Sequence, residues 1–185
     1  MKLILVRHGE VEESYKGCYN GHIDIGLSKK GLVDAQNLKN KLKRFSFDGV
    51  YCSDLIRTKD TLKAFMDTKD VTYHEDLREK SWGKCEGMSY DDIVKSYNIE
   101  YKDFTSWVDA LGGEGIKEFQ KRVNGIIFQH ILKQNKECVL VVTHGGVIKS
   151  FISQVRGICL EDAFGIDIPY ASFVVYDSKT NELIY

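Results

Sequence analysis

The sequence predicts an α/β fold of three layers, with a mostly parallel central sheet and helices on both faces. Continuous apolar runs of strand length lie at residues 2–7, 49–53, 138–143 and 172–176, with a weaker run at 71–74. Runs of this kind are typical of strands that are buried on both faces. Amphipathic stretches with helical spacing lie between them. Strands that alternate with helices favour a parallel sheet covered on both sides.

The first strand is apolar from Leu3 to Val6, and Arg7, His8 and Gly9 follow it directly. This order places a cation and an imidazole at the carboxyl edge of the sheet. Open α/β sheets bind their ligands at that edge. Gly9 lets the backbone approach a ligand closely, because it has no Cβ.

Two long amphipathic helices are predicted between the strands. The first begins after Ser28, a typical N-cap residue, and runs through Phe45. Its apolar face carries Leu32, Ala35, Leu38, Leu42 and Phe45. The second runs from residue 114 to 133. Its inward positions are Ile116, Phe119, Val123, Ile127 and Ile131.

Residues 77–111 interrupt the alternation of strands and helices, because they are polar, aromatic and helical in tendency. An insertion of this kind beside a sheet edge commonly supplies the wall or lid of a pocket. A satellite core is the alternative role for its aromatic residues. The chain has one proline and no linker-like segment, so a single domain over residues 1–185 is predicted.

The composition excludes several classes of function. Lys and Arg number 26 against 27 Asp and Glu, so no basic surface for nucleic acid or an anionic membrane is indicated. The first apolar run is too short for a signal peptide or a membrane helix. Five widely spaced cysteines without a CxxC pair indicate reduced thiols rather than disulfides or zinc. A cytoplasmic protein is therefore expected, with a homodimer left open as its oligomeric state.

Arg57 is a second candidate for ligand binding. The strand at 49–53 leads into a helix that Ser53 or Asp54 is expected to cap, with Arg57 in its first turn. A helix N-terminus attracts anions, and an arginine there adds a bidentate donor for phosphate.

His144 follows the strand at 138–143, and Gly145 and Gly146 after it open a helix. Two strands that each end in His-Gly are harder to attribute to chance than one. Glu79 precedes an aromatic-glycine pair and is a candidate general acid. Taken alone, its ordinary role would be a surface salt bridge.

Together these residues form a candidate phosphoryl site of two arginines, two imidazoles and one carboxylic acid. One imidazole can act as nucleophile and form a phosphohistidine that water hydrolyses. The arginines would lower the pKa of that histidine and neutralise the phosphoryl oxygens in the transition state. No metal and no cofactor is expected, because no histidine spacing suits a metal site.

In these motifs the chain resembles the histidine phosphatase superfamily, which is also called the phosphoglycerate-mutase-like family. The matching stretches are residues 5–10 (LVRHGE), 53–58 (SDLIRT), 77–79 (LRE) with 82–83 (WG) and 86–87 (EG), and 143–146 (THGG). They occur in the family's order and spread over most of the chain. The resemblance implies that His8 is the phosphorylated nucleophile and that Glu79 is the proton donor. It implies that Arg7, Arg57 and His144 bind the phosphoryl group.

Residues 17–22 (GCYNGH) look most like the loop of α-ribazole phosphatases, which remove the 5′-phosphate of α-ribazole phosphate in cobalamin assembly. A plain glycine turn is the alternative. The resemblance implies a small-molecule phosphate monoester as the substrate. The substrate-binding candidates are Ser14, Asn20, Gly21, His22 and Gly145. Departures at Val11, Ser14, Gly26 and Gly115 weaken the inference about the substrate.

Three alternatives stay open on sequence grounds. A broad-specificity sugar or metabolite phosphatase would use the same residues. Phosphoglycerate mutases of this family are generally longer, and the short chain argues for hydrolysis. A phosphate-binding protein without turnover would be expected to lack the nucleophile or an arginine, and neither is missing.

Overall fold

One six-stranded sheet forms the centre of the computed structural model, which describes residues 1–184. Its strands are β1 (Lys2–Arg7), β2 (Gly49–Cys52), β3 (Val71–Tyr73), β4 (Cys138–Thr143), β5 (Phe173–Asp177) and β6 (Glu182–Ile184). They lie in the order β3-β2-β4-β1-β5-β6. The first four are parallel, and β5 and β6 are antiparallel additions at one side. The prediction of a mostly parallel sheet is confirmed.

β4 lies between β1 and β2, although it comes late in the chain. Its residues pair in parallel with both neighbours, so that Val142 lies beside Val6 on one side and Cys52 on the other. The carboxyl ends of β1, β2 and β4 therefore meet at one edge. β5 lies one residue later than predicted. β6 was not predicted, because a three-residue edge strand has too short a pattern to detect.

Helices cover both faces of the sheet, as predicted. They are α1 (Lys29–Leu42), α2 (Ile56–Lys63), α3 (Tyr90–Tyr97), α4 (Phe104–Leu111), α5 (Ile116–Asn124), α6 (Gly145–Arg156) and α7 (Leu160–Phe164). Alternate residues of β1 point to opposite faces. Leu3 and Leu5 pack in the core that includes α5 and α6. Ile4 and Val6 pack in the core that includes α1 and α2. No helix among residues 1–184 is long and apolar enough to cross a bilayer.

α1 begins after Ser28, whose Oγ accepts a hydrogen bond from the Gly31 N–H at 2.9 Å. The helix ends at Leu42, three residues before the predicted end. The prediction that Leu32 faces the core is wrong, because 41% of Leu32 is exposed. Gly31 takes that position instead. A Cβ on Gly31 would lie 2.1 Å from the Glu10 carbonyl oxygen, so only glycine allows this approach.

The predicted helix over 114–133 is present as a succession of three helical forms. α5 continues as a π-helix at Gly125–His130 and ends in a 3₁₀ turn at Ile131–Lys133. Four of the five predicted inward residues are fully buried, and Ile116 is partly buried.

Residues 77–111 form a third, smaller core around Trp82 and Trp107. Trp107 Nε1 donates a hydrogen bond to Tyr19 Oη at 2.8 Å, which ties the insertion to the loop after β1. The Trp82 ring packs edge-on against Tyr19. Trp82 belongs to this core and also lines the cavity described below.

Candidate active site

His8 and His144 follow two neighbouring parallel strands. The His8 N–H donates to the Thr143 carbonyl oxygen at 3.0 Å, which continues the β1–β4 pairing past the end of β1. The ring centroids of the two histidines are 5.1 Å apart. His144 is fully buried and His8 is 6% exposed. The two His-Gly motifs are thus brought together by strand pairing alone.

His8 is held in one tautomer. Its Nδ1 lies 2.7 Å from the Gly9 carbonyl oxygen, which can only accept, so Nδ1 carries the proton and Nε2 keeps its lone pair. Burial lowers the pKa of His8 well below its usual 6.5, and the charges of Arg57 and Arg7 lower it further. The pattern of residues predicted a pKa lowered by the arginines alone, whereas burial is the larger cause. The result is a neutral imidazole with a free ring nitrogen.

His144 is also neutral. Burial lowers its pKa well below 6.5, with Arg57 and His8 as further causes. Its Nε2 lies 2.9 Å from Ser53 Oγ, and its Nδ1 has no hydrogen-bond partner within residues 1–184.

Arg57 is the second residue of α2 and is fully buried. Its Nη1 donates to the Ile23 carbonyl oxygen at 2.8 Å, and its Nη2 donates to that of Gly21 at 2.6 Å. Its Nε has no partner among the described residues. Burial lowers the pKa of Arg57 to about 10, and the carboxylates of Glu79 and Glu86 oppose the shift. Arg57 therefore stays cationic at neutral pH.

The expectation that Ser53 or Asp54 caps α2 is wrong. The residue before the helix is Leu55, whose side chain makes no capping bond, and the Ile56 N–H donates instead to Asp24 Oδ1 at 2.6 Å. The two candidate side chains have other partners, because Ser53 Oγ contacts His144 and Asp54 forms an ion pair with Arg78.

Arg7 lies at the end of β1 and is partly buried. Its Nη1 donates to the Ile168 carbonyl oxygen at 2.5 Å, and its guanidinium carbon lies 3.9 Å from the centre of the Tyr170 ring. Tyr170 also lies 5.5 Å from the His8 ring, measured between centroids. Arg7 Nε has no partner in the described part of the chain. Tyr170 thus packs on both residues of the Arg-His pair.

Glu79 lies at the N-terminus of α6. Its Oε2 accepts a hydrogen bond from the Gly146 N–H at 2.8 Å, and its Oε1 accepts one from the Lys80 N–H at 2.9 Å. Arg122 donates to the Glu79 carbonyl oxygen at 2.9 Å and forms an ion pair with Glu114. These bonds fix both ends of the Glu79 residue beside the histidines.

A cavity of about 160 Å³ opens over these groups. Its lining residues are Arg7, His8, Val11, Cys18, Tyr19, Asn20, Glu79, Trp82, Phe164 and Tyr170. Arg57 and His144 lie buried next to His8. All five predicted catalytic residues therefore come together. Of the predicted substrate residues, Asn20 lines the cavity. Gly145 packs against Arg7, since a Cβ added at Gly145 would lie 3.3 Å from Arg7 Nε.

The structure places three predicted substrate residues elsewhere. Ser14 is exposed on a 3₁₀ turn at Glu13–Tyr15, outside the lining residues. The His22 side chain lines a different pocket, together with Arg78 and Arg122. Gly21 is buried against Lys80 and Glu86, where a Cβ would lie 2.2 Å from the Lys80 carbonyl oxygen. None of these three residues is among the lining residues of the cavity.

Phe164 and Tyr170 line the cavity and were not predicted to do so. They lie on α7 and on the loop before β5, where no motif marks them. Trp82 and Tyr19 were inside quoted motifs, and their aromatic character was the available signal. Within residues 1–184, no group of three or more metal-ligating side chains is arranged to hold a metal ion.

Comparison with known proteins identifies the family of this domain. A family model, "Histidine phosphatase superfamily (branch 1)", matches residues 3–184. The adenosylcobalamin/α-ribazole phosphatase of Salmonella typhimurium is 33% identical over 159 residues, which cover 83% of this chain and 79% of that protein. A 2,3-bisphosphoglycerate-dependent phosphoglycerate mutase of Rhizobium etli is 26% identical over 207 residues, with 98% and 97% of the two chains covered.

A solved structure is similar over nearly the whole chain. The α-ribazole phosphatase of Shigella flexneri superimposes with a TM-score of 0.84 at 27% identity. The match covers 99% of this chain and 93% of that one. The predicted phosphoglycerate-mutase-like architecture is thereby confirmed.

Proposed function

The chain belongs to the histidine phosphatase superfamily and is a phosphatase, and we propose that it hydrolyses phosphate monoesters through a phosphorylated His8. One observation carries the proposal. A neutral imidazole with a free Nε2 lies in a cavity beside two guanidinium groups and a carboxyl group. A dianionic phosphoryl group is the ligand that such a set of donors suits.

The reaction proceeds in two steps. His8 Nε2 attacks phosphorus, the P–O bond to the leaving group breaks, and Glu79 gives its proton to the departing alkoxide. Water then attacks the phosphohistidine while Glu79 takes a proton from it, which releases phosphate and regenerates neutral His8. Both steps balance without a further reactant.

Arg7, Arg57 and His144 stabilise the phosphoryl oxygens. The unpartnered Nε atoms of the two arginines leave donors for this purpose. With the Ser53 hydroxyl donating to His144 Nε2, the Nδ1–H of His144 is also left to donate to a phosphoryl oxygen.

The cavity lining favours a neutral, ring-bearing leaving group. Arg7 is the one cation among the described lining residues, and its charge pairs with the phosphoryl group. A substrate with a carboxylate, such as 3-phosphoglycerate, would place that charge near Glu79 without a second cation. The rings of Tyr19, Trp82 and Tyr170 instead offer stacking surfaces. We therefore propose α-ribazole 5′-phosphate as the substrate, in agreement with the names of the Salmonella typhimurium and Shigella flexneri phosphatases.

The test of the nucleophile is His8→Ala on a generic aryl phosphate, assayed in EDTA. We expect kcat/KM to fall by about 10³-fold or more, and rapid quenching of the wild-type enzyme to trap a phosphohistidine. His130→Ala is the matched control, because His130 is exposed and outside the cavity lining. Near-wild-type activity of His8→Ala would overturn the assignment.

The substrate is tested separately by comparing kcat/KM for α-ribazole 5′-phosphate, a sugar phosphate and 3-phosphoglycerate. We expect a preference for α-ribazole 5′-phosphate of about 10²-fold, the scale of a few kcal/mol of differential binding. Equal values would overturn the substrate and favour a broad-specificity phosphatase. Transfer of label between phosphoglycerates would favour a mutase.

A further inference from the structure

Glu86 forms an unusual number of hydrogen bonds for a residue outside the cavity lining. Its two oxygens accept from four backbone N–H groups. Three belong to consecutive residues, Gly21 at 2.9 Å, His22 at 2.9 Å and Ile23 at 3.1 Å. The fourth is the N–H of Trp82 at 2.8 Å. A carboxylate that accepts several backbone bonds fixes those peptides strongly.

The carbonyl groups of the same loop point the other way, to Arg57. The Gly21 and Ile23 oxygens accept from the Arg57 guanidinium at 2.6 and 2.8 Å, and the Asn20 oxygen lies 3.3 Å from it. Residues 20–23 are therefore held between a carboxylate on one side and a guanidinium on the other. The orientation of these peptides links Glu86 to Arg57.

Gly21 makes this arrangement possible. A Cβ at this position would lie 2.5 Å from Glu86 Oε1 and 2.2 Å from the Lys80 carbonyl oxygen. Any other residue would separate the loop from the carboxylate. This accounts for the glycine of the loop motif without a contact to substrate.

We propose that Glu86 is a positioning residue for Arg57. Glu86 fixes the loop whose carbonyl groups set the direction of the Arg57 guanidinium. The proposal rests on the proposed function, in which this guanidinium binds the phosphoryl group. Without the carboxylate, the four N–H groups lose their acceptor and the carbonyl groups lose their orientation. Arg57 is then free to turn toward other oxygens, such as the carboxylate of Glu79.

Glu86→Gln is the direct test, because the amide keeps the size of the side chain but replaces one of the two acceptor oxygens with an NH₂ donor. We expect kcat/KM for an aryl phosphate to fall about 10- to 100-fold, the scale of a misplacement of about 1 Å. Inorganic phosphate should inhibit competitively with a similarly weakened Ki. Glu118→Gln is the matched control, because Glu118 accepts a single backbone bond, from the Gly115 N–H at 3.0 Å, on another element. It should leave both values unchanged.

A double-mutant cycle separates positioning from general stabilisation. In an Arg57→Ala background, Glu86→Gln should cost less than about 3-fold, since the group that it positions is gone. An equal loss in both backgrounds would overturn the proposal. The cycle needs measurable turnover in all four enzymes, whereas failure of the proposed function would already show as a wild-type enzyme without His8-dependent activity.

Folding is checked on each variant by thermal unfolding. Should Glu86→Gln not fold, Glu86→Asp takes its place in the cycle, because the shorter carboxylate keeps the charge and withdraws from the loop. Calorimetric titration with inorganic phosphate then gives the second measurement. Phosphate binding as tight as in the wild type by a folded Glu86 variant would refute the positioning role.

Discussion

Replacing Gly146 with alanine should separate the activity of this enzyme from its stability. A Cβ on Gly146 would lie 2.1 Å from Glu79 Oε1 and 2.9 Å from its Cδ. The carboxyl group must retreat by about 1.3 Å to reach the 3.4 Å at which ordinary van der Waals contact begins. The same movement strains or breaks the 2.8 Å bond between the Gly146 N–H and Glu79 Oε2.

The two consequences have opposite signs. A displacement of about 1 Å at a reacting group can cost about 10²-fold in rate. Alanine in a helix interior is about 1 kcal/mol more favourable than glycine, and at Gly146, the second residue of α6, this gain opposes the free-energy cost of displacing Glu79. We therefore expect kcat/KM on alkyl phosphates to fall about 10²-fold while the unfolding temperature changes little.

The assay compares alkyl and aryl phosphates on Gly146→Ala and Gly125→Ala. Gly125 has a right-handed backbone with φ of −58°, and nothing lies within 4 Å of its Cβ position. The control should keep wild-type activity on both substrates. Alkyl activity of Gly146→Ala within about 3-fold of wild type would refute the reasoning, since it would show that Glu79 tolerates the displacement or does not protonate the leaving group.

Two further predictions concern the same site. Glu79→Gln should lower kcat/KM on alkyl phosphates by about 10²-fold or more and on aryl phosphates far less, because aryl leaving groups need little protonation; equal losses would remove Glu79 from the acid role. His8 and His144 are neutral in the folded protein and gain protons on unfolding below pH 6.5. Each should therefore lower the free energy of unfolding by about 1.4 kcal/mol per pH unit as pH falls from 6.5 toward the folded-state pKa. Urea unfolding of wild type and His8→Gln between pH 7.5 and about 5.5 measures the difference in slope, and identical slopes would contradict the burial of His8 as the cause.

The buried strands and the residues after them were predictable, because a buried strand leaves a continuous apolar run in the sequence. His8 and His144 follow such runs directly, and the pairing of β1 with β4 brings them together. Arg57 was predictable as the first-turn residue of the next helix. The direction of its guanidinium was not, since it depends on carbonyl groups of a loop more than thirty residues earlier.

Contacts made by irregular segments could not be predicted. Tyr170 reaches His8 because the Ala171 N–H donates to the His8 carbonyl oxygen at 3.1 Å. Ala171 adopts a φ of +48°, which no local pattern signals for an alanine. Leu32 was misplaced because the close approach of Gly31 to Glu10 makes Gly31 the first buried residue of α1.

The position of β4 has a consequence for the order of folding. β1 and β2 are not neighbours in the sheet, and β4, which begins at Cys138, must pair with both before they share one sheet. During synthesis the first 137 residues therefore lack the strand that unites the two halves of the site. Contacts of such long sequence separation form slowly. Recovery of phosphatase activity in a refolding experiment should thus report the closing of the sheet, later than the formation of its helices.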